Sequence, residues 1–225
     1  MFSSAFKGRG LTVVYVDGKK RLVKRGGTRS WRNNNPGNIK SGTHSRIHGA
    51  IGSISGFAVF PSYEEGKAAL LRLFRRSDFR EKTIFEMVSS YAPKKDRNDP
   101  VRYRKILRQK TALNLDRKLK DLSDAELAKL ASAVQEIEGF QPGSEESFYA
   151  KSITDIRTNK RNAIIAYQIE NWGWKSKAEA IQLIEEGRVD AVLVEENGSV
   201  YVRTRPDGEL INNLEAKKPR KRPKR

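Results

Sequence analysis

The stretch from Ser30 to Lys40, SWRNNNPGNIK, constrains the fold more than any other part of the chain. Its proline lacks a backbone N–H and holds the preceding Asn35 in extended geometry, so a helix interior cannot include it. Gly37 and the asparagines tolerate left-handed backbone and hydrogen bond to nearby main chain. Two interpretations stay open. The asparagines alone slightly favour a rigid, self-bonded turn, but their amides also match the N-acetyl and hydroxyl groups of amino sugars.

The strong positive charge of the chain restricts the kinds of partner that it suits. The 225 residues carry a formal net charge of +18, which favours nucleic acid, an anionic membrane surface or an anionic cell-wall polymer. Lys217 to Arg225 contributes seven of the positive charges together with two prolines, and this composition predicts a disordered tail. No apolar run predicts a transmembrane segment, and the residues MFSSAFKGRG lack the apolar core of a secretory signal.

Metal and thiol chemistry have little support in the composition. The chain has no cysteine, which excludes disulfides, thiolate catalysis and cysteine-bound zinc. Its two histidines, His44 and His48, fall in a segment rich in glycine and serine that we predict to be a loop. We therefore expect solvated histidines, no metal site and no cofactor.

Three changes of pattern divide the chain. The sequence LTVVYVDGKKRLV predicts a β-hairpin around Asp17 and Gly18, within an N-terminal lead at residues 1–28. A short strand is predicted at Phe57 to Phe60, and capping motifs then open helices at Ser62, Thr83, Asp99 and Ser123. These elements form a predicted domain at 29–145, whose last helix stops at Gly139. A small ββαββ domain is predicted at 150–215, followed by the basic tail at 216–225. The fold class predicted overall is α+β, with a mainly helical first domain.

Glu138 is the clearest candidate for acid chemistry. It is the last residue before the glycine that ends the predicted helix, where the negative end of the helix dipole disfavours a carboxylate. Burial beside Ile137 and Phe140 would raise its pKa further, as a general acid requires. On the residues alone, an ordinary solvated glutamate is the commoner situation.

A resemblance to known proteins adds to this reasoning. The residues RNNNPGNI, then FAVFPSYEEGKAALLRLF, then a pattern carried by Thr83, Tyr91, Pro93, Asn98 and Tyr103 resemble a family of phage virion-associated and injection-system cargo proteins. The resemblance covers Arg29 to Gly143. It implies a lysozyme-like fold and peptidoglycan degradation.

Two further similarities concern wall-degrading enzymes. The stretches Arg32 to Lys40 and Phe57 to Glu65 are similar in order and spacing to the NNLFGIK and FRxYxSxxES motifs of bacterial wall glucosaminidases. AVQEIEGFQPGS is similar to the AxxxVESGFNPxA motif of lytic transglycosylases, in which the glutamate is catalytic. That glutamate corresponds to Glu138, but here it follows the asparagines by about 100 residues instead of preceding them. A circularly permuted lysozyme-like domain would explain this order.

The resemblance also implies roles for particular residues. Glu138 would be the general acid, and Glu64 a candidate second acid that only a hydrolase would need, since Glu65 is the expected capping partner of Ser62. One set of residues is expected to bind the glycan strand. For its aromatic members, packing in the core is at least as common a role as binding a sugar. That set is Trp31, Asn34, Asn35, Asn38, Tyr63 and Tyr91.

The C-terminal sequence SVYVRTRPDGELINNL resembles the ending of a small bacterial domain of unknown function, YVRTRPDGxxxNNL. The motif implies no activity. Arg203 and Arg205 occupy alternate positions of the predicted strand, so they would share one face and suit a phosphate or a wall anion.

These observations predict an enzyme that cleaves the glycan strands of peptidoglycan, as a lytic transglycosylase or a muramidase. Without a signal it would be made in the cytoplasm, packaged in a phage particle or a contractile injection system, and act at the cell wall. Its expected partners are peptidoglycan, tube or tail components and an immunity protein. The alternative is a non-catalytic basic virion or cargo protein that binds wall polymer, or nucleic acid through its tail.

Overall fold

The computed structural model describes residues 1–96, 98–196 and 198–204, and within them the chain is α+β, with 11 strands in four sheets and eight helices. The strands are β1 (Ser4–Lys7), β2 (Thr12–Asp17), β3 (Lys20–Arg25), β4 (Gly52–Ile54), β5 (Phe57–Val59), β6 (Ser144–Tyr149), β7 (Ile153–Thr158), β8 (Ile164–Ile169), β9 (Gly173–Ser176), β10 (Ala191–Glu196) and β11 (Ser199–Thr204). The helices are α1 (Arg29–Arg32), α2 (Thr43–Ile47), α3 (Tyr63–Arg75), α4 (Ser77–Arg80), α5 (Ile84–Tyr91), α6 (Pro100–Thr111), α7 (Asp124–Glu138) and α8 (Lys177–Glu185).

The prediction of a mainly helical, lysozyme-like domain joined to a small ββαββ domain was wrong. Helices account for 38% of the structure, and four sheets accompany them. The Gly/Ser-rich connection before Phe57 contains β4, which pairs antiparallel with β5. The C-terminal region contains an additional strand, β9, which pairs with β8. The α+β class itself agrees with the prediction.

The chain forms two compact units, and the N-terminal hairpin belongs to the second of them. The first unit comprises Met1–Phe6 and Arg25–Ser144, and the second comprises Lys7–Lys24 and Glu145–Arg225. The first unit has an apolar core built mainly from one face of each of α3, α5, α6 and α7. Leu70, Phe74, Leu107 and Leu130 are fully buried in it. The helices begin where the sequence predicts, because Ser62, Thr83, Asp99 and Ser123 each accept a hydrogen bond from the first turn of the helix that follows.

The second unit joins residues that are far apart in the chain. Strands β2, β3 and β6 are neighbours in that order, β7, β8 and β9 form a second sheet, and β10 pairs with β11. The side chain of Arg21 on β3 is fully buried, and its Nη2 donates to Asp190 at 2.5 Å. Its Nη1 donates to the carbonyl of Gly18 at 2.6 Å. This buried ion pair ties the N-terminal hairpin to the C-terminal region within one unit.

Candidate active site

The asparagine-rich stretch begins beside the C-terminal end of α7. The backbone N–H of Thr28 donates to the carbonyl of Gln141 at 3.0 Å, and the N–H of Gln141 donates back to the Thr28 hydroxyl at 3.0 Å. The Ser30 hydroxyl donates to the carbonyl of Gly139. A Cβ on Gly27 would lie 2.6 Å from the backbone of Gln141, so only glycine permits this approach. These contacts hold two segments together that are about 110 residues apart in the chain.

This arrangement brings Glu138 together with Asn38. Asn38 Nδ2 donates to Glu138 Oε2 at 3.0 Å, and the hydroxyl of Tyr103 on α6 donates to Glu138 Oε1 at 3.2 Å. Arg29 Nε donates to Asn38 Oδ1 at 3.2 Å, which fixes the orientation of the Asn38 amide so that its nitrogen faces the carboxyl. Both carboxyl oxygens of Glu138 therefore have a neutral donor.

Burial raises the pKa of the Glu138 carboxyl above its ordinary value. The hydrogen bonds from Asn38 and Tyr103 and the charge of Arg29 favour the carboxylate and only reduce this rise. The glycine that follows, Gly139, has a φ of 72° and ends the helix, so the carboxyl group stands at the last turn of α7. The result is a carboxyl group that holds its proton to a higher pH than a solvated glutamate.

Glu138 lines an open cleft of about 440 Å³ in the first unit, here called the acid cleft. A volume of this size is typical of small-molecule or oligosaccharide subsites. Two arginines line the cleft, and a second carboxyl group comes from Asp99, which caps the start of α6. Its lining residues are Arg29, Asn38, Asn98, Asp99, Arg102, Tyr103, Ile106, Ile137 and Glu138.

Asn34 and Asn35 have a different role from Asn38 in the structure. The Asn35 side chain is fully buried, and its amide donates to the carbonyls of Ile39 and Ala58, both at 2.9 Å. The Asn34 side chain is 3% exposed and donates to the carbonyl of Phe60 at 3.1 Å. Neither lines the acid cleft. Their amides stabilise the loop that presents Asn38.

The aromatic residues expected to bind sugars are also engaged in packing. Trp31, at the end of α1, is only 6% exposed. The Tyr91 hydroxyl donates to the carbonyl of Gly37, and its ring centroid lies 6.4 Å from that of Tyr103. Tyr63 is half-buried, donates to Gln135 Oε1 at 2.7 Å and packs edge-on against Phe140. Among these residues Tyr91 supports the cleft indirectly, through its contact with Tyr103.

The expected second acid, Glu64, is exposed in the first turn of α3 and does not line the acid cleft. The carboxylate that does line it is Asp99, whose Oδ1 accepts from the backbone N–H groups of Val101 and Arg102, both at 3.0 Å. From the sequence, Asp99 was predicted only to cap a helix. Tyr103 belonged to the pattern that carries the resemblance, but neither Tyr103 nor Arg29 was predicted from the sequence to have a role in the site.

The prediction that His44 and His48 are solvated loop residues was wrong for His44. Residues Thr43–Ile47 form α2, and the His44 side chain is only 8% exposed. Its Nε2 lies 3.1 Å from the carbonyl of Ala69 on α3, and its ring centroid is 4.5 Å from that of His48. Across residues 1–96, 98–196 and 198–204, no group of three or more histidine, aspartate or glutamate side chains has the geometry of a metal site.

The predicted anion site at the C-terminus falls only partly within the described residues. Arg203 is exposed on β11, opposite Val192 of β10. Arg205 and the basic tail at 216–225 lie outside the described residues.

Comparison with known proteins gives one family match. Residues 152–218 match a family described as a protein of unknown function, DUF3892. This confirms the resemblance of the C-terminal residues to a small domain of unknown function. The match does not extend to Arg29–Gly143, so the resemblance of that part to phage and injection-system proteins stays a prediction.

No curated protein matches the chain. Within the part of the chain that the structure describes, no helix combines the length and the apolar character that a membrane span requires.

Proposed function

We propose that the protein cleaves the glycan strands of peptidoglycan, with Glu138 as the general acid. The observation that carries the proposal is the acid cleft, in which a carboxyl group of raised pKa receives hydrogen bonds from Asn38 and Tyr103. Cleavage of a glycosidic bond requires a proton on the leaving oxygen, and a carboxyl group of raised pKa is suited to supply it.

The charges of the acid cleft suit a polymer that carries anionic groups. Arg29 and Arg102 both line it, and peptidoglycan bears the carboxylates of its peptide stems near the sugar chain. The net charge of +18 would hold the protein on an anionic wall and raise the local concentration of strands. Phage or injection-system delivery and an immunity partner are proposed only from the resemblance of Arg29 to Gly143.

The acid cleft leaves two reaction types open, and Asp99 distinguishes them. A lytic transglycosylase needs one carboxyl group, because Glu138 first protonates the leaving oxygen. The 6-hydroxyl of the sugar then attacks the anomeric carbon, and the Glu138 carboxylate takes the proton of that hydroxyl. A hydrolase needs a second carboxylate to activate water or to attack the sugar. Asp99 is the second carboxylate of the acid cleft, and its capping bonds use Oδ1 rather than Oδ2.

Incubation of the purified chain with peptidoglycan sacculi tests the proposal, with the released fragments identified by mass. Glu138→Gln should abolish release while leaving the melting temperature within a few degrees of the wild type. Glu136→Gln is the matched control, since Glu136 is an exposed glutamate of the same helix and pairs with Lys110. If Glu138→Gln releases as much as Glu136→Gln, Glu138 is not the acid.

Asp99→Asn then separates the two reaction types, because asparagine is as good a helix cap as aspartate. Anhydro ends that persist in Asp99→Asn identify a transglycosylase. Reducing ends that disappear in Asp99→Asn identify a hydrolase in which Asp99 is the second carboxylate.

The large positive charge favours a second candidate function, binding of nucleic acid or wall polymer without cleavage. This function predicts duplex DNA binding that weakens steeply with salt, since each neutralised phosphate releases counterions. Binding of this kind together with no release of fragments from sacculi would favour it over the enzyme.

A further inference from the structure

The guanidinium group of Arg29 is held in place at the acid cleft without an anionic partner. Its Nε donates to Asn38 Oδ1 at 3.2 Å, and its central carbon lies 3.5 Å from the centroid of the Phe57 ring. In the residues that the structure describes, neither of its Nη groups makes a hydrogen bond or an ion pair. Because a guanidinium group has several N–H donors, those of both Nη groups remain available to a ligand.

The other carboxylate of the acid cleft does not neutralise Arg29. Asp99 Oδ1 accepts from the first turn of α6, and within the described ranges Asp99 and Arg29 form no ion pair. Most of the side chains that line the cleft are polar or charged. An anion that enters the cleft would therefore meet a cation whose orientation is already fixed by a hydrogen bond and a packed ring.

Arg29 and Glu138 contact opposite ends of one amide. The Asn38 side chain accepts from Arg29 through Oδ1, and through Nδ2 it donates to Glu138 Oε2 at 3.0 Å. A group bound to Arg29 would therefore lie one short side chain away from the acid. This spacing suits a substituent on a sugar ring that adjoins the bond to be cleaved.

We propose that Arg29 is a specificity-determining residue, which binds a carboxylate carried by the sugar next to the scissile bond. The inference rests on the proposed function and names the substrate that the acid cleft selects, an acidic amino sugar rather than a neutral one. A guanidinium group and a carboxylate match in charge and in bidentate geometry. In peptidoglycan the muramic acid units supply such a group, either as their own ether-linked carboxylate or through the stem peptide attached to it.

The bound carboxylate should also favour the protonated form of Glu138. The charge of Arg29 favours the Glu138 carboxylate and so reduces the rise of its pKa. A carboxylate on Arg29 offsets that charge, so the pKa of Glu138 should be higher in a complex with an acidic sugar than in one with a neutral sugar. The comparison is between complexes of the same chain, in which the other groups near Glu138 are unchanged. The titratable and charged groups near Glu138 are Arg29 from α1, Tyr91 from α5, and Asp99, Arg102 and Tyr103 from the start of α6.

NMR titration of the full chain at constant ionic strength tests this inference with three disaccharide probes. N,N′-diacetylchitobiose has no carboxylate, and N-acetylglucosaminyl-N-acetylmuramic acid has the ether-linked one. The third probe is the second with L-alanyl-D-isoglutamine attached, so that its carboxylate lies on the stem. We expect at least one acidic probe to bind about tenfold more tightly than diacetylchitobiose and to give a higher pKa of Glu138. The acidic probe that binds more tightly identifies the source of the carboxylate.

Arg29→Gln should remove this preference, since glutamine keeps a donor for Asn38 but has no charge. Arg108→Gln is the matched control, because Arg108 is an exposed arginine of α6 that does not line the acid cleft. If both substitutions reduce the preference equally, it reflects only general charge attraction and the inference is overturned. Equal affinity of the wild type for the three probes overturns it without any variant, as does a Glu138 pKa that is the same in the neutral and acidic complexes.

These results are separate from those of the sacculus assay. Release of fragments by a chain that binds the three probes equally would overturn the role of Arg29 alone. A preference that depends on Arg29, in a chain that releases no fragments, would support carboxylate binding and overturn the proposed cleavage.

Discussion

Asn35→Ala should destabilise the first unit strongly, whereas removal of the Asn38 amide should affect stability little. The side chain of Asn35 is fully buried and makes three hydrogen bonds to the main chain. It donates to the carbonyls of Ile39 and Ala58, and its Oδ1 accepts from the backbone N–H of Ile39 at 2.8 Å. The loop therefore depends on one amide for three of its contacts.

The expected loss follows from the partners that Asn35 would leave behind. Both carbonyls keep another donor, since the N–H of Ala58 bonds to Ile39 and the Asn33 amide bonds to Ala58, so each lost bond costs about 1 kcal/mol. The N–H of Ile39 keeps no acceptor among the described residues, and a buried orphan donor costs about 1–3 kcal/mol. The total is about 3–5 kcal/mol, which corresponds to a fall of roughly 10–20 °C in melting temperature.

Asn38→Gly is the matched comparison. Asn38 has a φ of 46°, which glycine adopts without strain, so this variant removes the amide and leaves the backbone undisturbed. We expect a loss of about 1 kcal/mol and a fall of a few degrees. Differential scanning calorimetry of the full chain measures both variants, with one transition expected for each unit. If Asn38→Gly lowers the melting temperature as much as Asn35→Ala, the division between structural and cleft asparagines is wrong.

Two further variants test the surroundings of the loop and of the acid. Gly66→Ala should destabilise the first unit by about 3 kcal/mol or more, because the new Cβ would lie 1.8 Å from the Asn34 carbonyl oxygen. The control, Lys67→Ala on the same helix, should leave the melting temperature nearly unchanged. Tyr103→Phe removes a hydrogen bond that favours the Glu138 carboxylate, so the pKa of Glu138 should rise and the alkaline limb of activity against sacculi should move to higher pH. A shift to lower pH would contradict this assignment.

The local elements were predictable because short sequence signals determine them. Each capping motif of this kind pairs a side-chain oxygen with the backbone N–H three residues later, and the structure has these bonds at Ser62, Thr83 and Ser123. The short helix α2 was not predictable in the same way. It begins after Gly42, with no side-chain cap, and it is held by the bond from His44 to Ala69 of another helix. The helix propensities of the residues do not indicate such a contact.

The acid cleft was only partly predictable for a similar reason. Glu138 could be identified from the sequence, since the glycine that ends its helix and its apolar neighbours indicate a carboxyl group of raised pKa. Its partners Tyr103 and Arg29 come from α6 and α1, and spacing along the chain does not reveal which helices meet. The roles of the individual asparagines were also hidden, because Asn35 and Asn38 look alike in sequence and differ only in what surrounds them.

The N-terminal hairpin, which belongs to the second unit, was likewise only partly predictable from the sequence. Its strands were predictable from the turn at Asp17 and Gly18 and from the apolar residues on either side. Its ion pair between Arg21 and Asp190 joins residues 169 positions apart, and no local pattern indicates such a partner.

The protonation of Glu138 is the point on which the proposed reaction depends. Its native pKa is raised, so protonation favours the fold below the ordinary carboxyl pKa, and that advantage is lost as pH rises through the native value. Carbon-13 NMR titration of the glutamate carboxyl groups in the full chain measures this pKa directly, with Glu138→Gln identifying the signal. We expect a midpoint above the ordinary value of 4.5, which rises further in Tyr103→Phe. A midpoint at or below 4.5 would contradict it.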